Sequence, residues 1–495
     1  MELTGMFALP LDLLLLFTAL SPLAGILAAR MRRNAISGVY SAAALAAAAV
    51  SIYPVYQGAS AGAVSSIVNV GAFTSYMRVD MLAVAMSAVF LMLGVAAAVY
   101  SISYMSKERG SPLYYSLLLS MISGMVGVVY SGDLFTLFVF WEMMCISSYV
   151  LVAFSRGSGD SVEAAFKYLV MSGAGSATIL LGISLLYGMS GTLSFEGLAL
   201  AFGRSEPSLW IYVASIVSLV GFGVKAAVVP LHTWLPDAHS AAPSPISALL
   251  SGVVIEAGVY ALCRLCFTAF LPVQSQWLPI VMVLSVVTMV VGNVMPLLQG
   301  DVKRLLAYSS IGHMGYILAG LSIGTQLALT GTFLHIFNHA LMKGAAFLCV
   351  GAIIYRIGSR QIGDMSGIAR RMPITATALA ISLFALIGMP PLNGFISELT
   401  IVTAAFQSDL VWLGIAVILN SVLSASYYLR VIRVMLQPTA SEAVQGAKEA
   451  PWLMLLPICA LVGMIVIFGL WPDPVMDLMQ RSAAGLITLL SQVTG

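Results

Sequence analysis

The sequence is poor in charged residues. Lysine, arginine, aspartate and glutamate together make up 8% of the 495 residues, whereas hydrophobic residues make up 60%. A typical soluble domain is about 25% charged, so the composition excludes a soluble globular protein. The net charge of +2 comes without any basic tract, and we therefore expect no nucleic-acid partner.

Cysteine is scarce as well. The odd number of cysteines and their positions inside apolar runs argue against a disulfide framework and against a zinc site. No other cofactor signature is present, and we expect the chain to carry no cofactor or metal. The five cysteines are Cys145, Cys263, Cys266, Cys349 and Cys459.

Long apolar runs recur from one end of the chain to the other. They are continuous rather than alternating, and a continuous apolar run of about 20 residues is typical of a transmembrane helix. We predict an all-α polytopic membrane protein with about fourteen transmembrane helices, surrounded by lipid. The predicted spans are 8–30, 35–57, 79–104, 112–131, 133–155, 162–188, 209–230, 243–270, 278–299, 303–322, 326–356, 373–404, 410–436 and 451–471.

Basic residues are distributed unequally between the two sides of this predicted topology. Most lysines and arginines follow odd-numbered spans, whereas the loops after even-numbered spans hold only Arg78 and Arg204. Cytoplasmic loops of membrane proteins are enriched in lysine and arginine. We therefore predict a multi-pass protein of the cell membrane with both termini on the non-cytoplasmic side.

Prolines interrupt two of the predicted spans. Span seven runs into "VVPLHTWLPDAHSAAPSP", and span twelve contains "GMPPLNGF". Such breaks persist at membrane depth where they are buried in protein or line a wet cavity. The breaks are five spans apart, which predicts two inverted five-helix repeats, 112–270 (helices 4–8) and 278–436 (helices 9–13), as in many transporters. Residues 1–111 would hold helices 1–3, and 451–495 helix 14 and a tail.

Ionisable side chains lie inside the apolar spans or at the first break. Each charge at such a position costs about 2.5–3.5 kcal/mol on insertion scales, so these groups must be paired, hydrated or neutral. Acids, lysines and histidines spread over several helices can exchange protons through water, which predicts a proton or ion pathway. The candidate residues are Glu142, Lys225, His239, Glu256, His313, His335, His339, Lys343 and Glu398.

Some of these residues have a structural alternative. Glu142 could be satisfied by Ser147 or Ser148 on its own helix. His313 could be a core histidine with one backbone hydrogen bond. Glu398 could cap the helix that restarts after the second break, where a carboxylate meets the positive end of the helix dipole.

Two other protein classes remain alternatives. His335 and His339 are four residues apart and share a helix face, which is compatible with a haem- or quinone-binding protein, although haem would need histidines from facing helices. A solute permease would concentrate its polar residues at one midplane site rather than over many spans. Arg264 is predicted to be a structural cation, because arginine stays protonated.

Four segments, in order, resemble the antiporter-like subunits shared by respiratory complex I, membrane-bound hydrogenases, formate hydrogenlyase and Mrp cation/proton antiporters. They are "PLHTWLPDAHSAAPSPISALL", "SSIGHMGYIL", "HIFNHALMKGAAFL" and "GMPPLNGFISE". The resemblance covers roughly residues 75–430. The segment "PPLNGFISE" looks most like the hydrogenase and formate hydrogenlyase branch.

The resemblance implies an ion-translocating subunit of a redox-driven membrane complex that has no redox centre of its own. Its implied partners are neighbouring antiporter-like subunits, small membrane subunits and iron–sulfur, hydrogenase or dehydrogenase subunits, with protons or sodium ions as the cargo. The alternative is a subunit of an Mrp-type antiporter without a redox partner. By motif, the resemblance implies that Glu142 pairs with Lys225. It also implies relay positions at His313, His339, Lys343 and Glu398.

One position departs from the family pattern. Where the family usually reads "VKAGVY", this chain reads "IEAGVY", with Glu256 in place of the lysine. The carboxylate would stabilise a protonated Lys225 or a nearby protonated histidine rather than repel it. Two alternatives are a pathway that runs through His239 instead, and a role of Glu256 as a cation ligand, since hard cations prefer oxygen donors.

Overall fold

The computed structural model describes residues 8–494 except 32, 61, 63, 71–72, 107, 109, 155–158, 204–205 and 207. Arg204, used above to predict the topology, lies outside the described residues. The described part of the chain is almost entirely helical. Its α-helices are α1 (Leu9–Met31), α2 (Ala35–Val50), α3 (Ile52–Ser60), α4 (Met81–Tyr104), α5 (Ser111–Tyr130), α6 (Leu134–Val152), α7 (Gly159–Ser190), α8 (Phe195–Gly203), α9 (Leu209–Lys225), α10 (Trp234–Ala241), α11 (Ser244–Leu249), α12 (Ile255–Cys266), α13 (Gln274–Val294), α14 (Val302–Ile323), α15 (Gln326–Ile357), α16 (Pro373–Ile387), α17 (Asn393–Gln407), α18 (Val411–Met435), α19 (Glu442–Gln445), α20 (Trp452–Leu470) and α21 (Asp473–Thr494).

Helices lie at the position of every predicted span, and the predicted all-α polytopic class is confirmed. Among the described residues, eleven helical segments are long and apolar enough to cross a membrane, or up to twelve if one bent pair counts as a span. The exact number of fourteen is therefore not confirmed by length and composition. One reason is that α9 has only 17 residues before its break.

Both predicted helix breaks are present. The first separates α9, which ends at Lys225, from α10, which begins at Trp234. The second separates α16, which ends at Ile387, from α17, which begins at Asn393. The assignment of the two five-helix units as inverted repeats stays a prediction.

The core is centred on α14 and α15, whose residues are almost all buried. The span Ser244–Cys266 packs beside them and is buried over its whole apolar window. Within this span a π-helical segment, Leu250–Val254, joins α11 to α12 and directly precedes α12. Gly252 in this segment lies so close to α15 that a Cβ there would be 3.3 Å from the Ala340 backbone. The close approach places Glu256, in the first turn of α12, against α15.

A β-hairpin precedes α4 and was not predicted. Strand β1 (Val64–Val70) pairs antiparallel with β2 (Phe73–Val79), with Val64 opposite Val79. The hairpin lies between two apolar spans in a stretch that has no strong turn signal of its own. Its second strand leads directly into Asp80, the N-cap residue of α4.

Asp80 forms a buried ion pair with Arg264 of α12. Two guanidinium nitrogens of Arg264 donate to the two carboxylate oxygens at 2.6 and 2.5 Å, and Nε donates to the Tyr260 hydroxyl at 2.9 Å. The Asp80 carboxylate also accepts from the backbone N–H of Ala83 at 3.0 Å, which caps α4. Arg264 is therefore a structural cation, as predicted, and it ties α12 to α4.

We expect Arg264→Ala to lower the free energy of unfolding by about 3–5 kcal/mol, because it removes the close two-point partner of the buried Asp80 carboxylate and leaves only Arg78, whose Nε is 3.8 Å away. Denaturant unfolding in detergent measures this. Arg481→Ala is the matched control: it removes a pair with Asp477 in which both side chains are about half exposed. Exposed pairs contribute about 1 kcal/mol or less. Equal effects of the two variants would contradict the structural role of Arg264.

Candidate functional site

Three histidines meet at the centre of the helix bundle. His313 lies on α14, and His335 and His339 lie one turn apart on α15. His313 Nδ1 is 3.1 Å from His335 Nε2, and the ring centroids of His313 and His339 are 5.1 Å apart. The predicted shared face of His335 and His339 is confirmed. The alternative for His313 was a core histidine with one backbone hydrogen bond. It is not seen, because the described hydrogen bond of His313 goes to an imidazole and not to the backbone.

Glu256 contacts one of these histidines. Its Oε1 lies 2.7 Å from His339 Nδ1, and both side chains are completely buried. The second carboxylate oxygen of Glu256 and Nε2 of His339 have no hydrogen-bond partner. The carboxyl group of Glu256, which stands where the family has a lysine, therefore contacts a histidine. A nearby histidine was one of the two partners predicted from the sequence, and Lys225 was the other. This acid–base pair can hold a proton on either member.

Glu398 completes the group on the opposite side. It lies in the second turn of α17, so it does not cap this helix. Its Oε2 accepts from the Ser421 hydroxyl at 2.8 Å, while Oε1 has no partner. One donor atom each of Glu398, His313 and His335 lie within 4.8 Å of one another. We call Glu256, His313, His335, His339 and Glu398 the central cluster.

Lys343 lies one further turn along α15. It is completely buried, and its ammonium donates to the Leu306 carbonyl at 3.0 Å and to the Ser309 hydroxyl. The Tyr428 hydroxyl is 3.5 Å away. Each described acceptor of Lys343 is neutral, so a charge on this lysine would lack an ion-pair partner.

Lys225 occupies an aromatic pocket at the first break. Its ammonium donates to the Tyr168 hydroxyl at 2.5 Å, and the side chain is 1% exposed. Tyr168 stacks on Trp234 with ring centroids 4.1 Å apart, and the Tyr149 ring lies 5.6 Å from the ammonium. These aromatic residues come from α6, α7 and α10. Sequence analysis missed them, because nothing in their spacing indicates that they meet.

The implied pairing of Glu142 with Lys225 stays a prediction, because the structure shows no direct contact between the two side chains. Glu142 is half-buried among exposed apolar residues of α6, whereas the Lys225 ammonium turns inward to Tyr168, and no ion pair joins them. The serine alternative for Glu142 is not seen, since the hydroxyls of Ser147 and Ser148 bond to other groups. Glu142 Oε1 is buried and has no hydrogen-bond partner.

His239 lies apart from the central cluster on α10. It is completely buried, its ring stacks on Phe347 with centroids 5.2 Å apart, and neither ring nitrogen has a hydrogen-bond partner. Lys303, at the start of α14, donates to the backbone carbonyl of Ala242 just beyond α10 at 2.6 Å. Two titratable groups thus lie in or beside the first helix break.

A polar cleft of about 460 Å³ opens beside α10. At its centre the Asp237 carboxylate accepts from Lys167 at 3.2 Å and from Arg304 at 2.9 Å. Its ionisable lining residues are Asp160, Glu163, Lys167, Asp237, Asp301, Arg304 and Arg360. The cleft thus places titratable groups at the end of the bundle where His239 and Lys303 are buried.

The geometry does not support axial ligation of haem. The facing ring nitrogens of His313 and His335 are at hydrogen-bond distance, 3.1 Å, which leaves no space for a porphyrin plane between them. His335 and His339 lie on the same helix with ring centroids 6.4 Å apart, so they cannot bind opposite faces of one haem. A single metal ion, unlike haem, needs only ligand atoms that converge on one point.

The central cluster and the Lys225 pocket are separate among the described contacts. No direct hydrogen bond joins Lys225 to Glu256. Their helices nevertheless touch: a Cβ on Gly258 of α12 would be 3.0 Å from the backbone nitrogen of Ala226, the residue after Lys225. The lack of a side chain at Gly258 lets α12 approach the break, and the two sites therefore lie on neighbouring backbone segments.

The sequence of residues 131–424 matches the protein family described as NADH:quinone oxidoreductase/Mrp antiporter, transmembrane. This segment is more than half of the chain and contains the central cluster and Lys225. The chain belongs to this family.

Similar curated proteins are subunits of respiratory dehydrogenases. F420H2 dehydrogenase subunit N of Methanosarcina mazei is 32% identical over 425 residues, covering 84% of this chain and 86% of that protein. NADH-quinone oxidoreductase subunit N of Desulforudis audaxviator is 35% identical over 418 residues, covering 81% and 82%. The finer resemblance to the hydrogenase branch stays a prediction, whereas these relatives are N-type subunits.

Solved structures share the whole fold. A chain of the Mrp complex from Dietzia sp. superposes with a TM-score of 0.87 at 25% identity, covering 100% of this chain and 99% of that chain. A chain of the membrane-bound sulfane sulfur reductase, an archaeal respiratory membrane complex, gives a TM-score of 0.85 at 28% identity, covering 99% and 98%. This protein is thus a multi-pass, complex I-like antiporter-type subunit.

We expect Glu256 and His339 to be energetically coupled, because each is the other's described buried partner. In a double-mutant cycle of Glu256→Leu and His339→Leu, unfolding in detergent should give a coupling free energy of about 0.5–3 kcal/mol. A cycle of Glu256→Leu with His232→Leu is the control and should be additive within about 0.5 kcal/mol. Additivity in both cycles would show that the contact is absent in the folded protein.

Proposed function

We propose that this antiporter-like subunit moves protons through the central cluster as part of a redox-driven respiratory membrane complex. The observation that carries the proposal is the buried contact between Glu256 and His339, which continues through the other two histidines to Glu398. Intramembrane ionisable residues are functional by default, because burying them is costly. The curated relatives, named as subunits of NADH-quinone and F420H2 dehydrogenases, support the redox-driven assignment.

The chemistry of the central cluster suits stepwise proton transfer. A proton between Glu256 and His339 can form a neutral acid with a neutral imidazole, or a carboxylate with an imidazolium. The two forms exchange one proton across the 2.7 Å contact. Rotation of His339, whose Nε2 is unpartnered, can hand the proton on to His313 or His335. Glu398, with one unpartnered oxygen, then accepts it and releases it.

Lys225 is proposed as the group that couples the row to the neighbouring subunits. Its ammonium is bonded to a neutral hydroxyl, so its charge remains uncompensated within the described residues and is sensitive to nearby fields. Glu142, on the outward face of α6, would act on Lys225 through space, since no contact joins them. A charge change in a partner would shift the proton affinity of Lys225 and then of Glu256, with water bridging the gap between them.

The cleft beside α10 is proposed as the cytoplasmic entrance. From the distribution of basic residues we infer that both termini lie outside the cytoplasm. The loops that line the cleft follow odd-numbered spans and would then face the cytoplasm. Asp237 and its two cationic partners would collect protons at the surface, and Lys303 and His239 would carry them inward towards α15.

Protons fit the central cluster better than sodium ions do. Sodium and other hard cations prefer several oxygen ligands. Each described hydrogen-bond partner of Glu256 is an imidazole nitrogen, and three of the five members of the cluster are histidines. Glu256 as a cation ligand is therefore the weaker of the alternatives for this residue.

A subunit of an Mrp-type antiporter is the second candidate function. It is favoured by the full-length structural match to a chain of the Mrp complex. The same internal proton row would then be driven by a cation gradient instead of electron transfer. Purification of the native complex distinguishes the two, because co-purifying iron–sulfur or dehydrogenase subunits would establish the redox-driven assignment.

We expect Lys225→Ala to abolish proton pumping, because the field-sensitive cation is lost. Proton uptake into inverted membrane vesicles, measured together with the rate of electron transfer, tests this. Lys448→Ala is the control, since Lys448 lies exposed in the linker before α20 and should leave pumping unchanged. Pumping at the parental ratio of protons to electrons in Lys225→Ala would refute the role of this residue.

Glu256→Gln should lower proton flux at least about tenfold, because glutamine keeps the shape and a hydrogen bond to His339 but cannot titrate. A positioned acid–base group typically contributes about 10²–10⁴ to a proton-transfer step. Flux in vesicles is the measurement, and Glu442→Gln is the matched control, because Glu442 lies exposed in the linker before α20. Parental flux in Glu256→Gln would show that protons bypass this carboxyl group, for example through His239.

A further inference from the structure

We propose that His313, His335 and Glu398 form a binding site for a divalent transition-metal ion such as Zn²⁺, which would block the proton row when it binds. The three residues come from α14, α15 and α17, and they are brought together only by the fold. Among the described residues, they form the group whose histidine and carboxylate donors converge closely enough for one ion.

The distances between the donor atoms suit a small four-coordinate ion. Zinc binds histidine nitrogen and carboxylate oxygen at about 2.0–2.2 Å, so two ligands of a tetrahedral ion are about 3.4 Å apart. The two histidine nitrogens are 3.1 Å apart, and the widest separation in the group is at most 4.8 Å. Rotation of Glu398 about its own side-chain bonds can bring Oε1 closer to the two histidine nitrogens, because Oε1 has no hydrogen-bond partner to lose.

The donor set determines which ions fit. Two imidazoles and one carboxylate are the protein ligands of many catalytic zinc sites, which keep a fourth position open for water. Imidazole favours zinc, copper, iron and nickel, whereas magnesium and calcium take oxygen ligands. The site uses no cysteine, and so the positions of the cysteines in the sequence gave no indication of it.

Neighbouring hydroxyls orient the ligands. The Ser397 hydroxyl is 3.0 Å from Nδ1 of His335, which leaves Nε2 directed at His313 and at the proposed ion. The Ser421 hydroxyl donates to Oε2 of Glu398 and leaves Oε1 free. Such outer contacts fix the tautomer and rotamer of a metal ligand and usually matter for affinity.

An ion can approach the site from the second helix break. Glu398 is 7% exposed, whereas His335 is completely buried, so the carboxylate is the ligand nearest to the outside. The residues of the break, Met389, Pro390 and Pro391, are exposed, and Gly388 beside them has no side chain against the carboxylate: a Cβ there would be 2.6 Å from Glu398 Oε2. The carboxylate would capture the ion first, and the histidines would then complete its coordination.

Metal binding removes the proton-carrying capacity of the site. A bound ion requires both histidines neutral at their ligating nitrogens and Glu398 ionised, so binding releases protons and prevents their return. The existence of the site does not depend on the proposed function. The expected inhibition rests on it, because a metal in this position can stop proton flow only if protons pass these residues.

Cobalt substitution tests the site directly. Co²⁺ in a tetrahedral nitrogen–oxygen site absorbs visible light far more strongly than hydrated Co²⁺. Titration of the purified full-length chain in detergent should give this absorption with one Co²⁺ per chain, and Zn²⁺ should displace it. Glu398→Gln and His335→Gln should lose the absorption. Ser397→Ala should weaken Co²⁺ binding about 10–100-fold, as expected for loss of an outer contact to a metal ligand.

The control is His232→Gln, because His232 lies in the first break, outside the cluster, and binding should be unchanged. Gel filtration shows which variants are folded, and Ser397→Ala together with zinc competition on the parent chain is sufficient if the ligand variants misfold. Absence of the tetrahedral spectrum in the parent, or its persistence in a folded Glu398→Gln, would overturn the site. Metal binding without inhibition of proton flux would instead contradict the proposed function and leave the site standing.

Discussion

The structure depends on one contact, the 2.7 Å approach of the Glu256 carboxylate to Nδ1 of His339, with both side chains completely buried. Burial of either group alone would destabilise the fold. Their proximity allows the two groups to be buried together, as a neutral acid and base or as an ion pair. The same proximity lets a proton change sides with little movement. Stability and proton transfer therefore impose the same geometry on α12 and α15.

The surrounding fold serves to hold this contact. Gly252, in the π-helical segment, has no side chain and lets α12 approach α15. Gly258 likewise lets α12 approach the first break. The ion pair of Arg264 with Asp80 fixes the far end of α12 to α4. The two helix breaks end regular hydrogen bonding near the places where Lys225 and Glu398 lie. Lys225 and Glu398 thus lie at or near irregular points of the bundle, whereas the three histidines lie within the continuous helices α14 and α15.

Much of this could be predicted from the sequence. Continuous apolar runs located a helix at every predicted span, proline clusters located both breaks, and the spacing of His335 and His339 placed them on one face. The motifs also identified the residues that meet in the central cluster.

The sequence could not predict which side chains are in contact, because contacts between helices depend on the rotation of each helix about its own axis. The hydrogen bond of Lys225 to Tyr168 is an example, because no spacing rule connects this aromatic residue to the lysine. The hairpin Val64–Val79 was missed because short strands between long apolar spans have no pattern of comparable strength.

The most direct test of the central claim is infrared difference spectroscopy of the working complex with carboxyl bands assigned by Glu256→Gln. If Glu256 and His339 exchange a proton during turnover, a band of the protonated Glu256 carboxyl should appear or disappear together with an imidazole band, and both should be missing in the variant. A Glu256 carboxyl group that keeps one protonation state throughout turnover would contradict the account.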